Sequence, residues 1–210
     1  MINYNDKNEL LANREKIEKI EFLDIKKVKE DYISYWKSVT SIPQEKIQKM
    51  LDWLETTDFY SAPASISNKN HGSFTGGLVL HHLLVLKVFE AIFGYIDDNV
   101  IICILGHDFA KIGSAERALK PVLDEKTQKW KTEERYNFID DGFAYGHGEK
   151  AVDILRDFFD LTQEQKLVIR WHMGAYEGEP SWNYLKQAES KYPLVMMVHF
   201  ADNWCATYLA

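Results

Sequence analysis

An adjacent histidine and aspartate, His107 and Asp108, lie inside a strongly apolar run that covers residues 101 to 110. Burying an unpaired carboxylate among such residues is strongly unfavourable unless a partner compensates for its charge. A metal ion is the simplest partner, because imidazole and carboxylate groups are among its common protein ligands. The pair therefore predicts a buried metal site.

Further candidate ligands stand on other apolar or glycine-flanked segments. They are His81, His82, His147, His172, His199 and Asp202. A single histidine on a helix is usually a core or surface residue, but several independent accidents of burial are a poorer explanation than one shared cause. Together these residues supply a plausible full ligand set for a metal centre.

Helices are predicted to position most of these residues. The predicted helices cover residues 9–37 (as one or two amphipathic helices), 42–57, 78–93, 100–112, 149–159, 162–171 and 192–209. A loop rich in Ser, Pro, Asn and Gly joins the second and third of these, and we expect it to approach a ligand. Residues 120–139 are predicted to form a β-hairpin or ordered flap, with a long loop as the alternative.

The expected fold is therefore an all-α bundle with a possible small β-hairpin insertion near residues 120–139. We predict an N-terminal helical extension over residues 1–40 and one metal-binding domain over residues 41–210. The N-terminal helices could pack at a subunit interface or on their own core, and the oligomeric state stays open.

Composition narrows the class of protein. The chain has 25 basic and 32 acidic residues, a net charge of −7, which opposes a broad nucleic-acid footprint but leaves room for a local basic pocket. The net charge therefore favours a small phosphorylated substrate over a long nucleic acid. Two cysteines far apart in sequence form no disulfide framework, and no signal or membrane-spanning pattern is present. We therefore expect a cytoplasmic protein without a membrane partner.

Five short stretches resemble the HD superfamily of metal-dependent phosphohydrolases. They are Gly-Gly-Leu-Val-Leu-His (76–81), Gly-His-Asp-Phe-Ala-Lys (106–111), Gly-His-Gly-Glu-Lys (146–150), Arg-Trp-His-Met-Gly (170–174) and His-Phe-Ala-Asp (199–202). The resemblance covers residues 62 to 210 and implies the helical bundle of an HD domain.

The resemblance also implies a ligand set. The residues that would hold a first metal ion are His81, His107, Asp108 and Asp202. In the binuclear branch of the superfamily, His147 and His172 would hold a second ion, with Asp108 bridging the two. The donor atoms suit Mn, Fe, Co, Ni or Zn, with Mg also possible, and one or two ions are expected.

Two histidines beside these ligands are assigned to supporting positions. Adjacent helical residues point about 100° apart, so only one of His81 and His82 can face the metal. The motif favours His81, which leaves His82 to bind a neighbouring helix. His199 lies three residues before Asp202 on the same helix face, so it lines the pocket, supports a ligand or is ordinary packing.

Candidate substrate contacts are basic residues close to the ligands. Lys111 follows Asp108 by three residues, where superfamily members often carry a lysine, and it could hold a phosphate. Lys69 and His71 lie in the polar loop before the first ligand, and Lys150 follows His147 by three residues. The plain alternative for each lysine is a solvated surface charge.

These features predict hydrolysis of a phosphomonoester or phosphodiester, with a nucleotide or short nucleic-acid end favoured over long RNA. A metal-activated hydroxide would attack phosphorus, Asp108 would span the ions, and Lys111 would stabilise the phosphoryl oxygens. Two alternatives stay open: an HD-type di-iron oxygenase with the same six ligands, and a nucleotide-sensing module without catalysis. Hydrolysis is preferred because most of the superfamily hydrolyses its substrates.

Overall fold

The computed structural model describes residues 24–67, 72–124, 127–140, 142–177 and 181–208. Within these residues the chain forms eight α-helices and one two-stranded antiparallel sheet, which confirms a mostly helical fold with a small hairpin. The helices are α1 (Ile25–Ser38), α2 (Gln44–Glu55), α3 (Gly77–Phe93), α4 (Asp98–Gly106), α5 (His147–Arg156), α6 (Gln163–Trp171), α7 (Trp182–Lys191) and α8 (Leu194–Tyr208). None of the described helices has the length and apolar character needed to cross a membrane.

Helix α3 lies at the centre of the bundle. It is apolar on all sides, which is typical of a helix that is buried all round, and α1, α4 and α8 pack against it. Gly76 and Gly94 flank it, both with φ of +81°, a left-handed conformation that glycine adopts without a steric penalty. The glycines therefore mark both ends of α3, and His81 and His82 within this helix are buried.

Helix α4 is shorter than predicted. Its N-terminus is capped by Asp97, and it ends at Gly106, after which a turn leads to a 3-10 helix over Phe109–Lys111. The prediction of one continuous helix over residues 100–112 is wrong. At the end of α4 the carbonyl groups lack partners within the helix, and side chains supply them. The Leu105 carbonyl accepts hydrogen bonds from Oη of Tyr32 at 2.7 Å and from Nδ1 of His82 at 3.0 Å.

A hairpin connects the 3-10 helix to α5. Strand β1 (Ala115–Asp124) pairs antiparallel with β2 (Lys129–Phe138), and the register runs from Ala115 opposite Phe138 to Asp124 opposite Lys129. The region predicted as a hairpin or a long loop is thus a hairpin, which begins at Ala115 rather than at residue 120. The hydroxyl groups of Thr75 and Tyr136 lie 3.3 Å apart and join the hairpin to the segment before α3.

Helix α1 packs into the same hydrophobic core as the helices that follow it. Val28, Tyr32 and Trp36 recur at four-residue spacing and are fully buried on the face that packs against α3 and α4. The part of the predicted N-terminal extension before residue 24 lies outside the described residues, and the boundary at residue 40 stays a prediction. Helix α7, which the sequence analysis did not predict, buries only Leu185 and Ala188.

Candidate metal centre

The structure brings all six predicted ligands into one cluster from five parts of the bundle. His81 comes from α3 and Asp202 from α8, while the turn after α4 supplies two adjacent residues, His107 and Asp108. His147 is the first residue of α5 and His172 directly follows α6. Three groups of these residues have ligating atoms within 4.8 Å of one another: His81, His107 and Asp108; His107, His172 and Asp202; and Asp108, His147 and His172.

Asp108 lies in the middle of this cluster. Its Oδ2 atom is 3.7 Å from Nε2 of His81 and 3.4 Å from Nε2 of His107. Its Oδ1 atom is 2.7 Å from Nε2 of His147 and 3.4 Å from Nε2 of His172. Each oxygen of one buried carboxylate therefore faces a different pair of histidines, as a carboxylate between two cations would.

Asp202 belongs to the half of the cluster that faces Oδ2 of Asp108. Its Oδ1 atom is 3.0 Å from Nε2 of His81 and 3.9 Å from Nε2 of His107. This half thus offers two imidazoles and two carboxylates. The other half offers the imidazoles of His147 and His172 together with Oδ1 of Asp108.

The outer nitrogens of two histidines are held by the backbone. Nδ1 of His107 donates to the carbonyl oxygen of Ile104 at 2.6 Å, and Nδ1 of His172 donates to that of Ile169 at 2.7 Å. A carbonyl only accepts, so each ring carries a proton on Nδ1, and in the neutral form of each ring the lone pair of Nε2 faces the cluster. Among the described residues these two buried Nε2 atoms have no hydrogen-bond partner. A cation would give both atoms the partner they lack.

The charge state of the cluster also suits a cation. Burial alone would raise the pKa of Asp108, but the charges of Lys111 and His107 outweigh it and hold the pKa well below its usual range. Burial alone would also raise the pKa of Asp202, but a hydrogen bond with His81 outweighs burial, and the pKa of Asp202 is lowered as well. Both carboxylates are therefore ionised at neutral pH.

Burial lowers the pKa values of two of the predicted ligand histidines, His81 and His172. Burial would also lower the pKa of His107, but the negative charge of Asp108 outweighs burial, and the pKa of His107 is raised. A neutral imidazole is the form that binds a metal, so the environment of His81 and His172 favours the form that a metal requires.

The predicted substrate contacts have different surroundings. Lys111 lies beside the centre, with Nζ 2.6 Å from Oδ2 of Asp108. Nζ of Lys150 lies 5.7 Å above the ring of Phe143, a contact at the start of α5. The remaining two, Lys69 and His71, lie outside the described residues.

The two supporting histidines contact the backbone near the ligands. His82 is fully buried, and its hydrogen bond to the Leu105 carbonyl at the end of α4 is the predicted contact with a neighbouring helix. Nδ1 of His199 donates to the carbonyl oxygen of His172 at 2.6 Å. His199 therefore holds the backbone of a predicted ligand rather than facing the ligand's imidazole ring.

Two contacts at the edge of the cluster were not predicted as part of the site. Sγ of Cys205 lies 3.7 Å from Nδ1 of His81, and a sequence signal for it exists because Cys205 follows Asp202 by three residues on α8. Glu149 forms an ion pair with Arg170 and so fastens the start of α5 to the end of α6. This pair joins α5, which begins at His147, to α6, which ends just before His172.

Comparisons of the chain with protein-family models, with curated proteins and with solved structures found no match.

Proposed function

We propose that the protein is a metal-dependent phosphohydrolase of the HD superfamily that cleaves a phosphomonoester or phosphodiester. The observation that carries this proposal is the position of Asp108, whose two oxygens face separate histidine pairs within one buried cluster. The six-residue order seen in the sequence supports the same family. The family assignment rests on these residues and their geometry.

Two divalent transition-metal ions, such as Mn, Fe, Co, Ni or Zn, fit the donor atoms of the cluster. The first would be held by His81, His107, Asp108 and Asp202, and the second by Asp108, His147 and His172. Bound there, the ions would supply Lewis acidity and the means to activate water near neutral pH. The unpartnered Nε2 atoms of His107 and His172 support this fit.

The residues of the chain orient and hold the substrate. Most of the cluster is buried, but the side chains of His147 and Lys111 are 30% and 25% exposed. The open side of the centre is therefore the side on which these two residues lie, and a phosphate group would approach there. The Lys111 ammonium would then hold the phosphoryl oxygens and stabilise the charge that develops on them during cleavage.

The substrate is proposed to be small, with a nucleotide or a short nucleic-acid end preferred. The net charge of −7 opposes long-range attraction of a nucleic-acid backbone. Within the described part of the chain, Lys111 contacts the buried centre, and one ammonium group is better matched to one phosphate group than to an extended polyanion.

The test is a screen of phosphate release from nucleoside mono-, di- and triphosphates, cyclic dinucleotides and a model phosphodiester, with each metal supplied in turn. Hydrolysis that is lost in Asp108→Ala and kept in Asp153→Ala, a substitution of an exposed carboxylate on α5, is the expected result. Full turnover by Asp108→Ala would refute the proposal. Dioxygen consumption with a mixed-valence iron signal and no phosphate release would instead favour the oxygenase, and nucleotide binding without turnover would favour the sensing module.

A further inference from the structure

The imidazole of His81 is contacted on both of its nitrogens by residues of one helix. Nε2 lies 3.0 Å from Oδ1 of Asp202, and Nδ1 lies 3.7 Å from Sγ of Cys205, within hydrogen-bonding distance for sulfur. Asp202 and Cys205 are three residues apart on α8, so they lie on the same helix face. His81 and Cys205 are both buried, and water therefore does not compete for this contact.

The position of His81 in its helix explains why a side chain supplies this contact. His107 and His172 directly follow the last residues of α4 and α6, where the final carbonyl groups have no partner within the helix. Those two rings use such carbonyls, from Ile104 and Ile169. His81 instead lies inside α3, where the carbonyl groups are already engaged in the helical hydrogen bonds.

We infer that Cys205 is a positioning residue for His81, whose thiol holds the outer nitrogen and so keeps Nε2 directed at Asp108 and Asp202. This inference rests on the proposed metal centre, because a well-oriented His81 would raise the affinity of the first metal site, to which His81 belongs. Residues that hydrogen-bond the outer nitrogen of a ligand histidine commonly contribute about 10- to 100-fold to metal affinity. Cys205 itself contacts neither the substrate nor the reacting atoms.

The two cysteines of the chain provide a matched experiment. Cys103 and Cys205 are both fully buried, and replacing either by alanine removes the same atoms from the core, but the described contact with a ligand histidine belongs to Cys205. We expect Cys205→Ala to weaken zinc binding at the first site about 10- to 100-fold. Cys103→Ala should bind zinc as the unsubstituted protein does. Competition titration against a chromophoric chelator measures both affinities.

The conservative variant Cys205→Ser separates a hydrogen-bonding role from simple packing. A serine hydroxyl can still bind Nδ1, so Cys205→Ser should recover most of the affinity that Cys205→Ala loses. A packing role alone predicts no such recovery, because a buried hydroxyl without a partner is unfavourable. If Cys205→Ala fails to fold, Cys205→Val fills the space without a polar atom, and it should show the same loss of affinity.

A second readout needs no metal. Long-range ¹H–¹⁵N spectra of the metal-free protein should show the ring signals of His81 shifting in Cys205→Ala, while those of His107 and His172 stay in place. Equal zinc affinity in Cys205→Ala and Cys103→Ala, with unshifted His81 signals, would overturn the inference and leave the proposed metal centre intact. Failure of the unsubstituted protein to bind any metal would overturn both.

Discussion

Nζ of Lys111 lies 2.6 Å from Oδ2 of Asp108, the carboxylate oxygen that also faces His81 and His107. The ammonium group thus approaches the oxygen that the first metal ion of the proposed centre would bind. Its charge compensates the buried Asp108 carboxylate, and it would compete with a metal ion for this oxygen. The same ammonium is close enough to the centre to contact a phosphate group there.

Replacing Lys111 by methionine removes this charge and keeps most of the side-chain stem. We expect Lys111→Met to bind the metal at least as tightly as the unsubstituted protein, because the competing cation is gone. The kcat/KM for the phosphate ester should fall about 100-fold, the usual effect of losing one group that stabilises developing negative charge. Metal titration and steady-state kinetics measure the two effects. Lys46→Met, which removes an exposed lysine paired with Asp160, is the control; unchanged kcat/KM in Lys111→Met would contradict the assigned role.

A glycine supports the second half of the proposed centre. Gly174 has φ of +60°, and a Cβ atom there would lie 2.6 Å from the ring of His199, which holds the backbone of His172. We expect Gly174→Ala to displace His199, loosen His172 and weaken the second metal site. Gly113→Ala is the matched control, since Gly113 has φ of +71° but no atom within 4 Å of the added Cβ.

Both alanine variants should lose roughly 1–2 kcal/mol of unfolding free energy from the left-handed backbone alone. Only Gly174→Ala should lose more than this and also bind metal less tightly. Urea unfolding of the metal-free proteins and metal titration provide the comparison. Equal losses of stability together with equal metal affinities would show that His199 does not support the site.

The stability of the metal-free protein should depend on pH through His82. Burial lowers the pKa of this imidazole well below its usual value, with the nearby His107 acting in the same direction. The folded state therefore keeps His82 neutral, whereas the unfolded chain takes up a proton below pH about 6.5. Stability should be lost as the pH falls, by up to about 1.4 kcal/mol for each pH unit below that value.

The variant His82→Gln keeps a donor for the Leu105 carbonyl but cannot titrate. Its unfolding free energy, measured by urea titration with a chelator present, should fall less between pH 7 and pH 5 than that of the unsubstituted protein. The same pH slope in both proteins would exclude His82 as a source of the acid sensitivity.

The sequence predicted the parts of the fold that local patterns determine. Helix α3 was predicted because residues 78–93 are apolar on several sides, and the observed helix, Gly77–Phe93, differs from that prediction by one residue. The end of α4 was missed because it depends on Tyr32 and His82, which approach the Leu105 carbonyl only in the folded chain. Helix α7 was missed because a helix that buries two small or medium apolar residues has little periodic signal.

The candidate site likewise has parts that the sequence could predict and parts that depend on folded contacts. The six ligand positions could be predicted because their residue types and order form a recognisable pattern along the chain. The division of Asp108 between two histidine pairs could not be derived from the residues alone, because it depends on where α5 and α6 pack relative to the turn after α4. The contact of Cys205 with His81 likewise joins residues that are 124 positions apart.

The number of transition-metal ions bound per chain tests the proposed centre directly, and it is measured by elemental analysis after loading with Mn, Fe, Co, Ni or Zn and removal of excess metal. A binuclear centre should hold two ions per chain in the unsubstituted protein. It should hold one ion when His147 and His172 are both replaced by alanine, because His81, His107, Asp108 and Asp202 remain in contact with one another. An unsubstituted protein that binds no transition metal, or a double variant that still binds two ions, would contradict the proposed centre.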